Sequence, residues 1–204
     1  MPVVDGREYR NFQMTFEAVD PVDEGDCIVE GYATTFNDAY ELYPGYYEVI
    51  DRHALDGADM SDVIFQLNHS GTVCARLRNN TLSLFCDDHG LNVRANLRGC
   101  QEGRNLYESI QNGLIDRMSW GFMIADDGYE YDRETHTSTI TKVSKVFDVS
   151  AVSLPANEGT EIHARSYIDG VIESERQELA ECNDREDERR TRLKSKFLFE
   201  TGEM

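Results

Sequence analysis

Between residue 8 and about residue 166 the apolar residues come in short runs broken by polar clusters, and this spacing constrains the fold more than any other feature. Cys27–Phe36 (CIVEGYATTF) is rich in β-branched and aromatic residues, Asp62–Asn68 (DVIFQLN) is a brief apolar run, and Tyr9–Val19 alternates in part. Such runs suit strands, which need few residues and place successive side chains on opposite faces. Thr81–Cys86 and Leu91–Leu97 flank Asp87-Asp88-His89-Gly90, a turn-forming cluster whose glycine can take positive φ, and predict a hairpin. Arg117–Ile124 predicts a strand, residues 126–134 a polar connection, and Ser138–Leu154 one bent strand or two. Two helices interrupt the pattern. A short one is expected near Arg52–Leu55. The other follows from Asn105, Leu106, Ser109, Ile110, Gly113 and Leu114 at helical spacing, with Gly113 placed to end it. Residues 1–166 therefore read as a mainly β (α+β) domain: a small barrel or strongly curved sheet with helices packed outside.

Beyond about Arg165 the composition changes. Residues 168–199 have few apolar positions, no proline and dense mixed charge (ESERQELAECNDREDERRTRLKSK), which predicts a solvated helical tail over 167–204. With 40% apolar and 29% charged residues the chain can build a core, and its 204 residues suit one domain with an appendage. The net charge of −19 repels a phosphate backbone and argues against binding nucleic acid. The five cysteines, Cys27, Cys74, Cys86, Cys100 and Cys182, are odd in number and lack CxxC spacing, which points to a reducing cytosol rather than a disulfide framework or zinc knuckle. MPVVDGREYR lacks a signal-peptide core, and no run approaches the ~20 apolar residues of a membrane span. A soluble intracellular protein is expected.

Three residues stand out as able to carry chemistry. His69 ends an apolar run (Phe65-Gln66-Leu67-Asn68-His69-Ser70-Gly71); strand alternation would put it on the face of Phe65 and Leu67. There it is either a structural histidine or a base with one edge buried and one open. Ser119, in Met118-Ser119-Trp120-Gly121-Phe122, is an ordinary strand serine unless a base can accept its proton. Asp148 lies in a run apolar on both faces (Val146-Phe147-Asp148-Val149-Ser150-Ala151-Val152), where an unpaired carboxylate would be costly. Its partner is either an arginine, Arg117 or Arg76, or an imidazole that it orients. His53, His89, His136 and His163 show no ligand spacing, so neither metal nor cofactor is expected.

Taken in order, several segments resemble the prohead (head maturation) protease family of tailed phages, itself distantly similar to the herpesvirus assembly protease, assemblin. They are Glu30–Phe36, Gly45–Ala54, Asn68-His69, Gly113-Leu114, Arg117–Phe122 and Phe147–Asn157, spanning about Gly31 to Ser166. The resemblance implies a serine endopeptidase with Ser119 as nucleophile, His69 as general base and Asp148 orienting His69, with Glu158 and His163 as fallbacks for the third role. It also implies no cofactor and an assemblin-like barrel. The substrates it implies are scaffold protein, the N-terminal segment of the major capsid protein and the protease itself, inside an assembling procapsid in the host cytoplasm. Backbone N–H groups and Arg117 remain open as oxyanion donors. The herpesvirus relatives work as dimers, which leaves a homo-oligomer open. The tail over 167–204 would solubilise the enzyme, anchor it among scaffold proteins or be removed by self-cleavage. The competing expectation is a catalytically inactive assembly protein with a protease-like fold.

Overall fold

The computed structural model describes residues 7–12, 17–18, 25–153, 173–174 and 176–177. The elements in chain order are β1 (Glu8–Phe12), β2 (Glu17–Ala18), β3 (Ile28–Thr35), β4 (Tyr40–Tyr43), β5 (Tyr46–Ile50), β6 (Ile64–Leu67) and β7 (Ser70–Arg76). They continue with β8 (Leu82–Cys86), β9 (Gly90–Asn96), α1 (Gln101–Gln111), β10 (Arg117–Ile124), β11 (Tyr129–Asp132), β12 (Thr137–Ile140) and β13 (Val143–Val152). The strands form three sheets, ordered β1-β10-β13-β6-β7, β11-β12-β5-β4 and β2-β3-β9-β8. The chain divides into two units, residues 1–164 and 165–204. In the second, the described residues Glu173, Ser174, Arg176 and Gln177 are helical, and the rest of the expected tail helix lies outside the described residues.

The mainly β class holds. The closed barrel does not: among the described residues the ladders give three open sheets, and β3 packs across β10 without pairing to it. The helix expected near Arg52–Leu55 is instead a run of tight turns, with Ala54 N–H bonding Asp51 O and Asp56 N–H bonding His53 O. Asp51 Oδ1 also accepts the His53 N–H at 2.8 Å, a local bond that competes with helix. The polar connection over 126–134 carries β11, and Ser138–Leu154 divides between β12 and β13, which join different sheets.

The hairpin β8–β9 forms as its turn chemistry predicts, because Asp87 Oδ1 accepts the N–H groups of His89 and Gly90 at 2.8 and 2.9 Å. Gly90 is needed there for a different reason than positive φ: a Cβ would sit 2.0 Å from Thr34 O on neighbouring β3. Helix α1 stops at a Schellman motif. Gly113 (φ +68°) donates to Ile110 O and Leu114 donates to Ser109 O.

The interior centres on β10 and β13. Met118, Trp120 and Phe122 are fully buried on one face of β10, with Trp120 and Phe122 stacked at 3.9 Å between ring centroids. Phe65 of β6 and Val149 of β13 join them in the same cluster. Each such side chain contributes about 1.5–3 kcal/mol by leaving water, enough to hold the frame while the opposite face of β10 carries polar residues.

Candidate active site

Strand alternation on β10 separates two sets of side chains. Met118, Trp120 and Phe122 serve the core, which leaves Arg117, Ser119 and Gly121 on the other face. Ser119 has no solvent exposure and lies between Asn11 of β1 and Ser150 of β13 in the ladder. One register step along, Gly121 lies between Tyr9 and Asp148.

His69 reaches this face from the hairpin between β6 and β7, not from the face of a strand as alternation predicts. Leu67 pairs with Ser70, so Asn68 and His69 are a two-residue loop, and both have positive φ (51° and 55°). That is the type I′ pattern, whose twist matches the flanking strands; asparagine is favoured there and histidine is tolerated. Asn68 holds the loop to β13: its N–H bonds Ala151 O at 2.9 Å, and its side chain accepts the Ser153 N–H at 3.1 Å. Because β6 runs parallel to β13 with Leu67 opposite Ala151, the loop lies at the end of β13, and the imidazole reaches back from it to Asp148.

The three side chains form a line. His69 Nε2 lies 2.6 Å from Ser119 Oγ, and His69 Nδ1 lies 2.5 Å from Asp148 Oδ1. Asp148 is buried and takes a further hydrogen bond from Ser150 Oγ at 3.0 Å. The two arginines considered as its partners are engaged elsewhere: Arg76 binds Asp62, and Arg117 lies 3.6 Å from Asp116. A carboxylate only accepts, so Nδ1 of neutral His69 must carry the proton, which turns the Nε2 lone pair to the Ser119 hydroxyl. The hydroxyl has a second acceptor within reach, Arg10 O at 2.9 Å. Its single proton cannot satisfy both.

Residues with no separate signal in the sequence complete the surroundings. Gly121 makes room, since a Cβ there would stand 2.5 Å from Asp148 Oδ2 and 2.7 Å from Tyr9 Cε1. The Tyr9 ring lies against the His69 imidazole at 4.4 Å between centroids. Ser150 was legible in principle, because a residue two positions after Asp148 shares its face. The fallback residues Glu158 and His163 lie outside the described residues. No three His, Cys, Asp or Glu side chains gather as a metal site among the described residues.

A serine, a histidine and an aspartate in a hydrogen-bonded line can perform acyl transfer, but such lines recur on unrelated folds. Comparison with known families decides the lineage: the model described as caudovirus prohead serine protease matches residues 13–171. This chain belongs to that family. It is also 29% identical over 156 residues to the prohead protease of Enterobacteria phage HK97. The match covers 71% of this chain and 62% of that protein, so this chain spans less than two thirds of that prohead protease's length. No solved structure matches the chain. Within this prohead protease family member, the matched stretch holds Ser119, His69 and Asp148, whereas β1 lies just upstream of it.

Proposed function

We propose that the chain is a serine endopeptidase in which Ser119 is the nucleophile, His69 the general base and Asp148 the group that orients His69. The observation that carries this reading is the line Asp148–His69–Ser119, with heavy-atom distances of 2.5 and 2.6 Å. His69 Nε2 takes the proton from Ser119 Oγ as the oxygen attacks a peptide carbonyl carbon. The tetrahedral adduct collapses when His69 returns that proton to the leaving amine, leaving an acyl-enzyme. Water, deprotonated by the same nitrogen, then releases the acid. Asp148 stabilises the imidazolium formed at each stage, and Ser150 fixes the carboxylate that does so.

Family membership supports a role in the prohead, so the proposed substrates are scaffold protein, the N-terminal segment of the major capsid protein and the protease itself, within the assembling procapsid in the host cytoplasm. The assemblin-like closed barrel is not part of this proposal. The charged tail over 167–204 is proposed as a scaffold-interacting or self-cleaved segment.

The test is intact-mass analysis of the chain co-expressed with its capsid protein, wild type against Ser119→Ala. Trimming of the capsid protein or of the chain itself in wild type, with both left at full length in the variant, is the expected result. Ser119→Ala should lower turnover by roughly 10⁴-fold or more. Identical fragments in both samples would remove Ser119 from the mechanism. Assembled proheads with no cleavage in either would favour an inactive assembly protein.

A further inference from the structure

Ser119 is covered in a specific way. β1 pairs antiparallel with β10 so that Asn11 stands opposite Ser119, and the carbonyl of the preceding residue, Arg10, accepts the Ser119 hydroxyl at 2.9 Å. Side chains alternate along β1, so Tyr9 and Arg10 leave it on opposite faces. Tyr9 fills the space left open by Gly121 and abuts His69. Arg10 enters a closed acidic pocket: Nε and Nη2 bind the two Glu48 carboxylate oxygens at 2.5 and 2.8 Å, and Nη2 also meets Glu8 at 2.6 Å.

That pocket is built for a guanidinium. Glu48 is fully buried on β5 and also receives the Tyr40 hydroxyl from β4, while Arg10 is only 4% exposed. A planar fork on a carboxylate is the pairing that lysine or a neutral side chain reproduces poorly. Burial disfavours the Arg10 charge, but Glu48 and Glu8 together outweigh it and raise the guanidinium pKa. Proteases commonly bind substrate as an added strand beside the nucleophile, and here residues 8–12 of the chain itself hold that edge.

We infer that β1 is a resident occupant of the substrate edge of β10, and that Glu48 with Tyr40 forms a subsite selecting an extended peptide with arginine immediately before the bond to be cut. This rests on Ser119 being the nucleophile. A substrate taking the register of β1 presents its arginine carbonyl to Ser119 and its guanidinium to Glu48. The Ser119 Oγ–C bond then forms, the C–N bond following arginine breaks, and the hydroxyl proton passes through His69 to the departing amine.

The test uses the full-length chain and peptides from a denatured bacterial proteome cut at glutamate, with Ser119→Ala as the blank. Ser119-dependent new C-termini should end in arginine at least about tenfold above its frequency, and Glu48→Gln should lose most of that preference. Because Glu48→Gln can unfold, wild type is also titrated with two peptide aldehydes, one ending in arginal and one in leucinal, each able to form a hemiacetal with Ser119. The arginal should bind at least about tenfold more tightly. Ser119-dependent cleavage without arginine preference, or equal aldehyde affinities, overturns the subsite and leaves the protease reading intact. No Ser119-dependent cleavage and no aldehyde binding, in wild type and equally in a folded Arg10→Ala variant whose β1 no longer fills the Glu48 pocket, overturns the nucleophile assignment and the subsite with it.

Discussion

Among the described residues two carboxylates, Asp148 and Glu48, are buried, and their surroundings differ in one respect that matters. Asp148 faces an imidazole, a partner that can lose or gain its proton, and its line continues to a hydroxyl. Glu48 faces the guanidinium of Arg10, a permanent cation, and the Tyr40 hydroxyl donates to the same Oε1 that Arg10 Nε takes. The first arrangement can move a proton; the second can only bind a charge. His69 keeps a side chain 14% exposed beside Asp148, whereas Arg10 and Glu48 are sealed at 4% and 0%. A buried acid is thus a marker of chemistry only when its partner titrates.

Four substitutions sharpen or break this contrast. Asp148→Asn should lower turnover by about 10³–10⁴-fold, because the amide does not hold the tautomer or stabilise the imidazolium. Its urea midpoint should move little; a variant that unfolds instead would make Asp148 a structural residue. Glu48→Ala should do the reverse to stability, costing about 3–5 kcal/mol by taking the two-pronged carboxylate partner away from the buried Arg10 guanidinium. Equilibrium urea unfolding reads this directly, and a loss under 1 kcal/mol would mean that water reaches the pocket. Gly121→Ala pushes a methyl into Asp148 Oδ2 and Tyr9, so about 1–3 kcal/mol of stability and a large part of activity should go together. Activity at the wild-type level would show that the carboxylate has room to shift.

The smallest effect concerns a partly exposed surface pair, Asp62 with Arg76, and serves as the control. The Arg76 hydrogen bond holds the Asp62 carboxyl at about 2, below its usual 3.8. A carboxyl depressed in the folded state contributes stability that is present above pH 3.8 and lost as pH falls through 2. Asp62→Asn should therefore flatten the acid limb of the unfolding curve between about pH 4 and 2 and leave neutral stability nearly unchanged. A neutral-pH loss as large as that of Glu48→Ala would erase the distinction between buried and surface pairs.

How much of this was legible in the sequence depends on how far apart the causes lie. The short apolar runs make Ser119, His69 and Asp148 visible as polar residues, but a lone histidine or a strand serine is more often structural, and it is the ordered resemblance to the prohead proteases that singles the three out. The hairpin at Asp87–Gly90 and the helix end at Gly113 are local chemistry and were legible too. The geometry around them was not. Asn68 and Ser70-Gly71 mark a turn near His69 but not that Leu67 is the last strand residue, and the two-residue loop decides which way the imidazole points. Arg10 and Glu48 are 38 residues apart on different sheets, and neither has a neighbour announcing the other. The barrel expectation failed for a similar reason: alternation tells which residues face inward but not which edges find each other.

The parallel pairing of β6 with β13 also sets a timetable for synthesis. His69 and Asp148 are 79 residues apart, and every segment between them leaves the ribosome before the second strand can dock beside the first. An antiparallel neighbour such as β7 joins β6 within a few residues, but the imidazole waits for the carboxylate until nearly three quarters of the 204 residues have been made. A nascent chain, or one truncated before β13, therefore holds an imidazole and a hydroxyl with no acid to align them.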